Sequence, residues 1–172
     1  GQLTIVEGDF YEVDVPGRFD VVTYWDGFGV GSDKDQLRLL ARIAQGWLAE
    51  GGCAFIDVAS TTWAVHHAGE EVRLGALPGV PGSVEMWRRW HWDPVLARWI
   101  DEWTPAEHPE DGLQQSVRTY TPADFLLLLE GTGLRLARLE VNGEAIEACT
   151  EAVRRGGPLA DAYSYLVQLV PA

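Results

Sequence analysis

The sequence predicts an α/β domain: a mostly parallel sheet with a small antiparallel, tryptophan-rich insertion. Three observations carry this. Apolar, β-branched runs alternate with a helix-period segment and no hairpin turn joins them, the pattern of a parallel β–α–β unit. Five of the eight tryptophans (Trp87, Trp90, Trp92, Trp99 and Trp103) fall in one short stretch at spacings that suit paired strands. The chain then returns to a strongly signalled helix and two closing strands. At 172 residues, 47% of them hydrophobic, it is long enough for one domain with a real core.

Taken in order, Leu3–Val6 reads as a buried strand ended by the turn Glu7-Gly8-Asp9, and Pro16-Gly17 as a second turn. Phe19–Trp25 is the next buried strand, followed by a glycine-rich loop from Asp26 to Gly31. Ser32 with Asp35 forms a capping-box start. The helix behind it puts Leu37, Leu40, Ala41, Ala44, Trp47 and Leu48 on its buried face, and Gly51-Gly52 stops it before a strand over Cys53–Val58. Residues 75–82, rich in Gly and Pro, form a loop. Two strands joined at Asp93-Pro94 carry Trp90 and Trp92 on one face and Trp99 and Trp103 on one face, and Gln114–Tyr120 completes a meander. Thr121-Pro122-Ala123-Asp124 starts a helix through Phe125, Leu126, Leu128 and Leu129, which ends at Gly131 and Gly133. Leu134–Val141 and Tyr163–Val170 are the closing strands. The chain opens at Gly1 directly into a strand-like run, which reads as a start inside a longer polypeptide. Residues 1–60 and 121–172 therefore read as the core of one partial domain, and 61–120 as an insertion in it.

Charge excludes several partners. The formal net charge is −13, and Arg88, Arg89 and Arg98 are surrounded by acids, so there is no basic face for nucleic acid or an anionic membrane. A small molecule is the expected partner. No apolar run approaches the roughly 20 residues of a membrane span. Cys53 and Cys149 form no metal or redox motif, and four scattered histidines make no metal site. A reduced, cytoplasmic setting follows from that cysteine usage.

Gly27-Phe28-Gly29-Val30-Gly31 follows a strand and opens a helix, the context in which glycines let backbone N–H groups approach a pyrophosphate. On that reading the chain is an NAD-dependent dehydrogenase and Asp57 is the ribose-binding acid. A different register explains more of the sequence. The ordered set Ile5-Val6-Glu7-Gly8-Asp9-Phe10, Phe19-Asp20-Val21-Val22 and Leu48-Ala49-Glu50-Gly51-Gly52 resembles the class I S-adenosylmethionine-dependent methyltransferases, as do Arg118–Phe125, Gly131–Leu134 and the final strand from Tyr163. The resemblance covers nearly all of the chain and implies a Rossmann-like, mostly parallel sheet with an antiparallel last strand. It lacks the family's first strand with its acid and G-x-G-x-G, and the acid that ends the second strand.

What the resemblance implies is methyl transfer from S-adenosylmethionine to a small, aromatic or hydrophobic, natural-product-like acceptor, with S-adenosylhomocysteine as product. Asp9 would accept from the adenine amino group and Phe10 would flank the ring. Tyr24 and Trp25, at the carboxyl end of their strand, would face the sulfonium in a cation–π contact, and Asp26 and Phe28 would border the transfer point. His66 and His67 would supply a general base, with His91 as a substitute. Trp63, Trp90 and Trp92 would hold the acceptor. Arg118 could pair with an anionic acceptor, although Asp101 or Glu102 across the meander is its favoured partner. The tryptophan-rich insertion reads as a lid, a subunit contact of a homodimer, or plain core. The rival to methyl transfer within the same fold is a binding module or partner subunit that no longer methylates.

Overall fold

The computed structural model describes residues 3–146 and 157–172. Its elements are β1 (Phe19–Tyr24), α1 (Asp33–Arg42), β2 (Leu48–Ala59), α2 (Thr61–His66), β3 (Glu71–Leu74), β4 (Met86–Asp93), β5 (Arg98–Pro105), β6 (Leu113–Arg118), α3 (Pro122–Leu129), β7 (Leu134–Val141), β8 (Glu144–Ala145) and β9 (Ser164–Pro171). They form two sheets, one ordered β1-β2-β9-β7-β8 and one ordered β3-β4-β5-β6.

In the first sheet β1 and β2 pair in parallel, with Val22 opposite Ala54 and Tyr24 opposite Ile56. β9 runs antiparallel to both β2 and β7, so β1, β2 and β7 share one direction and β9 alone of the long strands opposes them. The burial pattern of β2 alternates, with Ala54, Ile56 and Val58 at 0% exposure. These face the core, which α1 and α3 close with Leu39, Leu40, Ile43, Phe125, Leu128 and Leu129. Local chemistry sets both helix starts. The Ser32 hydroxyl accepts from the Asp35 N–H while the Asp35 carboxylate accepts from the Ser32 N–H, and Thr121 and Asp124 repeat this reciprocal box. The buried stripe of α1 passes through Gln36, Leu39, Leu40 and Ile43, leaving Leu37 37% exposed. Of the expected stripe only Leu40 is shared, and Leu48 begins β2, with Gly51-Gly52 inside that strand and not between helix and strand; the helix ends instead in a π turn over Ile43–Trp47.

The meander forms as expected. Trp92 lies opposite Trp99 and Arg88 opposite Trp103, and the Asp93 carboxylate accepts from the Val95 and Leu96 N–H groups to shape the turn. Two elements had no clear sequence signal. α2 opens with two threonines, poor interior helix formers, under the Ser60 cap. β3 carries only alternating charge and apolar residues and pairs at the meander's edge with β4.

One expectation fails. Leu3–Val6 is no strand: it has no ladder partner, and Leu3 and Ile5 are 85% and 84% exposed. A lone strand leaves its N–H and C=O groups without partners, so an apolar run with no neighbouring edge stays hydrated. Among the described residues β1 pairs with β2 alone.

Two tyrosines tie β9 to the segment that leads into α3, and that segment to α1. The buried Tyr165 hydroxyl of β9 donates to the Tyr120 carbonyl at 2.9 Å, and the Tyr120 hydroxyl donates to Asp33 Oδ1 at 2.6 Å. Burial raises the pKa of both phenols, so both stay protonated donors. Tyr165→Phe strands a buried carbonyl. We expect it to cost about 1–2 kcal/mol in urea melts, and a loss below about 0.3 kcal/mol would show that the bond contributes little.

Candidate functional site

The chain makes a sharp bend where β1 ends. Asp26 adopts a positive φ of 53°, unusual for a residue with a side chain, and its N–H donates to Asp57 Oδ1 of β2 at 2.7 Å. A carboxylate on the neighbouring strand thus holds the strained turn in place. Gly27, Gly29 and Gly31 each have a packing reason. A Cβ at Gly27 would stand 2.8 Å from the Tyr24 hydroxyl, and one at Gly31 would stand 2.5 Å from that of Tyr11. At Gly29, with φ +103°, a Cβ would overlap the Arg118 carbonyl oxygen. That close approach lets the Arg118 N–H donate to the Gly29 carbonyl at 2.8 Å. The glycine loop is therefore the joint that fastens the meander to the first sheet.

Between the two sheets, outside the carboxyl ends of β1 and β2, lies a narrow cleft with a volume of ≈ 30 Å³. Asp26, Gly27 and Phe28 line it from the loop, Asp57 and Ala59 from β2, Trp99, Gln115 and Val117 from the meander, and Tyr163 and Ser164 from the start of β9. Carboxyl ends of parallel strands are where open α/β sheets take ligands. Burial raises the Asp57 pKa above the usual carboxylate range, against the lowering effect of the Asp26 N–H. Tyr24 is pushed up to about 12, first by burial and then by neighbouring Tyr11 and Asp57. Tyr163 is raised by burial and by Asp26.

Over the cleft stands an aromatic cluster. The Trp63 ring meets Trp90 at 5.6 Å, Trp99 at 5.3 Å and Tyr163 at 4.9 Å between centroids, all edge to face. Beyond it, Arg88 forks onto Asp101, with Nε donating to Oδ1 at 2.9 Å and Nη2 to Oδ2 at 2.7 Å. The guanidinium lies 5.0 Å from the Trp90 ring and 4.3 Å from that of Trp103.

The structure brings only some of the expected residues together. Asp26 and Phe28 border the cleft, but Phe28 is 2% exposed and packs among Tyr24, Tyr120 and Phe125, so it is chiefly core. Asp9 closes a turn by accepting from the Tyr11 N–H. The Phe10 and Tyr24 rings lie 5.4 Å apart at the same end of β1, where Trp25 is 56% exposed. Trp90 is buried within the cluster and Trp92 packs beside it; Trp63 meets edge to face with Tyr163, which lines the cleft.

Four candidates lie outside the cleft lining, and the expected partner of Arg118 is corrected. His66 is exposed and His67 bonds Glu70 at 2.8 Å while its ring lies on Trp63; neither lines the cleft. His91 sits on the sheet face away from Trp90 and reaches Glu102. Arg118 pairs with neither Asp101 nor Glu102 but with Asp33, Nε to Oδ1 at 3.2 Å. The register explains this: Arg118 lies opposite Arg98, two non-adjacent pairs beyond Glu102, while Asp101 points to the other face. Conversely, sequence reasoning missed Trp99, Gln115, Tyr163 and Ser164 as cleft residues, and took Asp57 only as a ribose ligand. A polar residue alternating among the buried β2 positions was the one available signal for Asp57.

No protein-family profile and no curated protein sequence matches the chain. Solved structures do. The CcbJ methyltransferase from Streptomyces caelestis superposes with TM-score 0.69 at 13% identity, over 96% of this chain and 62% of that one. An S-adenosylmethionine-dependent methyltransferase from Clostridium acetobutylicum gives 0.69 at 10% identity, over 96% and 63%. A sugar N-methyltransferase from a Streptoalloteichus species gives 0.60 at 15%, over 93% and 60%. The chain thus spans about three fifths of the length of these structures. The described residues have a class I S-adenosylmethionine-dependent methyltransferase-like fold.

Proposed function

We propose that the protein takes part in methyl transfer from S-adenosylmethionine to a small aromatic or hydrophobic acceptor. The observation that carries this is the cleft between the carboxyl ends of β1 and β2 and the aromatic face of the meander. The structural neighbours support it: they include methyltransferases, one of them named for a sugar substrate.

The residues at the end of β1 suit part of that cofactor. Phe10, Tyr24 and Trp25 offer aromatic surface at one sheet edge, and Asp9 and Asp26 add carboxylates beside it; aromatic faces and anions favour a sulfonium. Asp9 keeps one carboxylate oxygen beyond the one bonded to Tyr11, available for an amino group. When bound, S-adenosylmethionine supplies an already activated methyl, so the protein's work is orientation more than acid–base chemistry. The Asp57-latched turn fixes the lip of the cleft, Trp99 and Tyr163 wall the acceptor, and the meander keeps water away. We further propose 61–120 as the lid of the domain and its exposed rim as the contact of a homodimer. Among the described residues no helix is long and apolar enough to cross a membrane.

Calorimetric titration with S-adenosylhomocysteine is the test. A Kd in the micromolar range is expected, weakened by about 1–3 kcal/mol in Asp9→Ala. No heat with S-adenosylhomocysteine would turn the reading toward a methyltransferase fold kept as a binding module or partner subunit. Binding of reduced nicotinamide instead would restore the dinucleotide role of Gly27–Gly31.

A further inference from the structure

One residue on the buried stripe of α1 does not belong there by hydropathy. Gln36 is 0% exposed on the same face as Leu39, Leu40 and Ile43. Its Nε2 donates to the Tyr11 hydroxyl at 2.8 Å, while its buried Oε1 has no donor among the described residues. A buried amide with half of its capacity unused is less stable there than a leucine of similar size. Stability therefore does not explain Gln36, but its one bond does. Tyr11 belongs to the turn that starts at Asp9, where the Glu12 and Val13 N–H groups donate to the Asp9 carbonyl at 2.8 and 2.6 Å. The Tyr11 ring lies 4.3 Å from that of Phe10, which lies 5.4 Å from Tyr24 at the end of β1. The turn has other ties to α1. Arg42 donates to the Val13 carbonyl, and Arg38 lies 5.5 Å from the Tyr11 ring and reaches Glu12 at 4.0 Å, both of those side chains being exposed. The bond from Gln36 is the buried tie, and it fixes the far end of the ring that touches Phe10.

We propose that Gln36 is a positioning residue: through the Tyr11 hydroxyl it holds the Phe10–Tyr24 ring pair, with Asp9 beside it, as a preformed surface for S-adenosylmethionine. The inference rests on the methyl-transfer reading for the ligand, though not for the arrangement itself. Gln36, fully buried, touches no ligand and acts only through Tyr11. Phe10 is 39% exposed and would sample several rotamers if the ring beside it were loose. A Tyr11 ring anchored at its hydroxyl leaves Phe10 one seat, against Tyr24, before any ligand arrives. Binding then orders fewer side chains, and the affinity is higher for it. With leucine at position 36 the Tyr11 ring keeps its packing but loses its end point, and the ordering has to be done by the ligand. The cost of a half-satisfied amide in the core is thus offset only in the bound state.

Calorimetric titration with S-adenosylhomocysteine and urea melts are run on the whole chain and on Gln36→Leu, Tyr11→Phe and the double variant. Without ligand, the nuclear Overhauser effect between the Phe10 and Tyr24 rings reads the ring pair directly. We expect Gln36→Leu to melt at or above the parent's urea midpoint, yet to bind S-adenosylhomocysteine about five- to tenfold more weakly. Tyr11→Phe should weaken binding equally. The double variant should lie within about twofold of either single one, since each removes the same bond. The ring-to-ring signal should fade in all three. Glu12→Ala, which removes only the exposed pair with Arg38, should bind within about twofold of the parent. Any clear fall in the midpoint of Gln36→Leu, up to failure to fold, marks a merely structural glutamine and overturns the inference, as does unchanged affinity. Losses that multiply in the double variant overturn it too, and so does a ring signal that persists in Gln36→Leu or Tyr11→Phe. If the parent gives no heat with S-adenosylhomocysteine, the methyl-transfer reading fails, and the ring signal still decides the rest. Its loss in the variants retains a ring pair held by Gln36, and its persistence overturns that as well, so the two failures are distinct.

Discussion

Gly29→Ala should destabilise the protein by about 3–5 kcal/mol, far more than a glycine-to-alanine change in a loop ordinarily does. Two costs add. The φ of +103° is a conformation that side chains rarely adopt, and the new Cβ would overlap the Arg118 carbonyl oxygen. Backbone has to move, and with it goes the bond from the Arg118 N–H to the Gly29 carbonyl. Gly17 supplies the internal control. Its φ is +101°, nearly the same, yet nothing lies within 4 Å of its Cβ position. Gly17→Ala should therefore show the conformational cost alone, about 1–3 kcal/mol. Urea melts of both variants decide the matter: equal losses would mean that the contact with Arg118 contributes nothing. Because the joint fastens the meander to the cleft's lip, Gly29→Ala should also shift the Trp99 indole signal where Gly17→Ala leaves it unmoved.

Asp101→Ala is the second large effect, expected at about 3–5 kcal/mol. The Asp101 side chain is 7% exposed and that of Arg88 22%, and the guanidinium is held between the Trp90 and Trp103 rings. Removing the carboxylate leaves a cation that cannot swing out to water without abandoning both rings. The pair itself adds little beyond what apolar groups of the same size would give, since taking two charges out of water offsets most of their attraction. Arg88→Met with Asp101→Leu should thus recover most of the loss. If the double variant is as unstable as Asp101→Ala, the fork contributes net stability and this account of it is wrong. Glu102, 34% exposed and shared by the more exposed Arg89 and His91, should tolerate alanine with little change.

How far the sequence reaches is visible in particular residues. The boxes at Ser32–Asp35 and Thr121–Asp124 were legible because their donors and acceptors lie within one helical turn. The meander was legible because period two and an Asp-Pro turn are local features. Leu3–Val6 misled for the converse reason: its composition suits a strand, but a strand exists only with a neighbour. Arg118 misled because choosing its partner needs the register of two strands, and the register puts Asp33 within reach and Asp101 on the other face.

By itself, then, the sequence determined the order and kind of most elements, the acidic surface and the resemblance to the methyltransferase fold. Each of these depends on neighbours along the chain or on composition. The tertiary structure alone decided the cleft. Asp26 and Asp57 stand 31 positions apart, and Trp99 and Tyr163 come from different sheets. It also turned His66 and His67 outward, sank Phe28 into the core and gave Gly29 its necessity. The physical reason is that a site is made by contacts between strands, and which atoms meet there is fixed by register and packing, neither of which is written in any local run of residues.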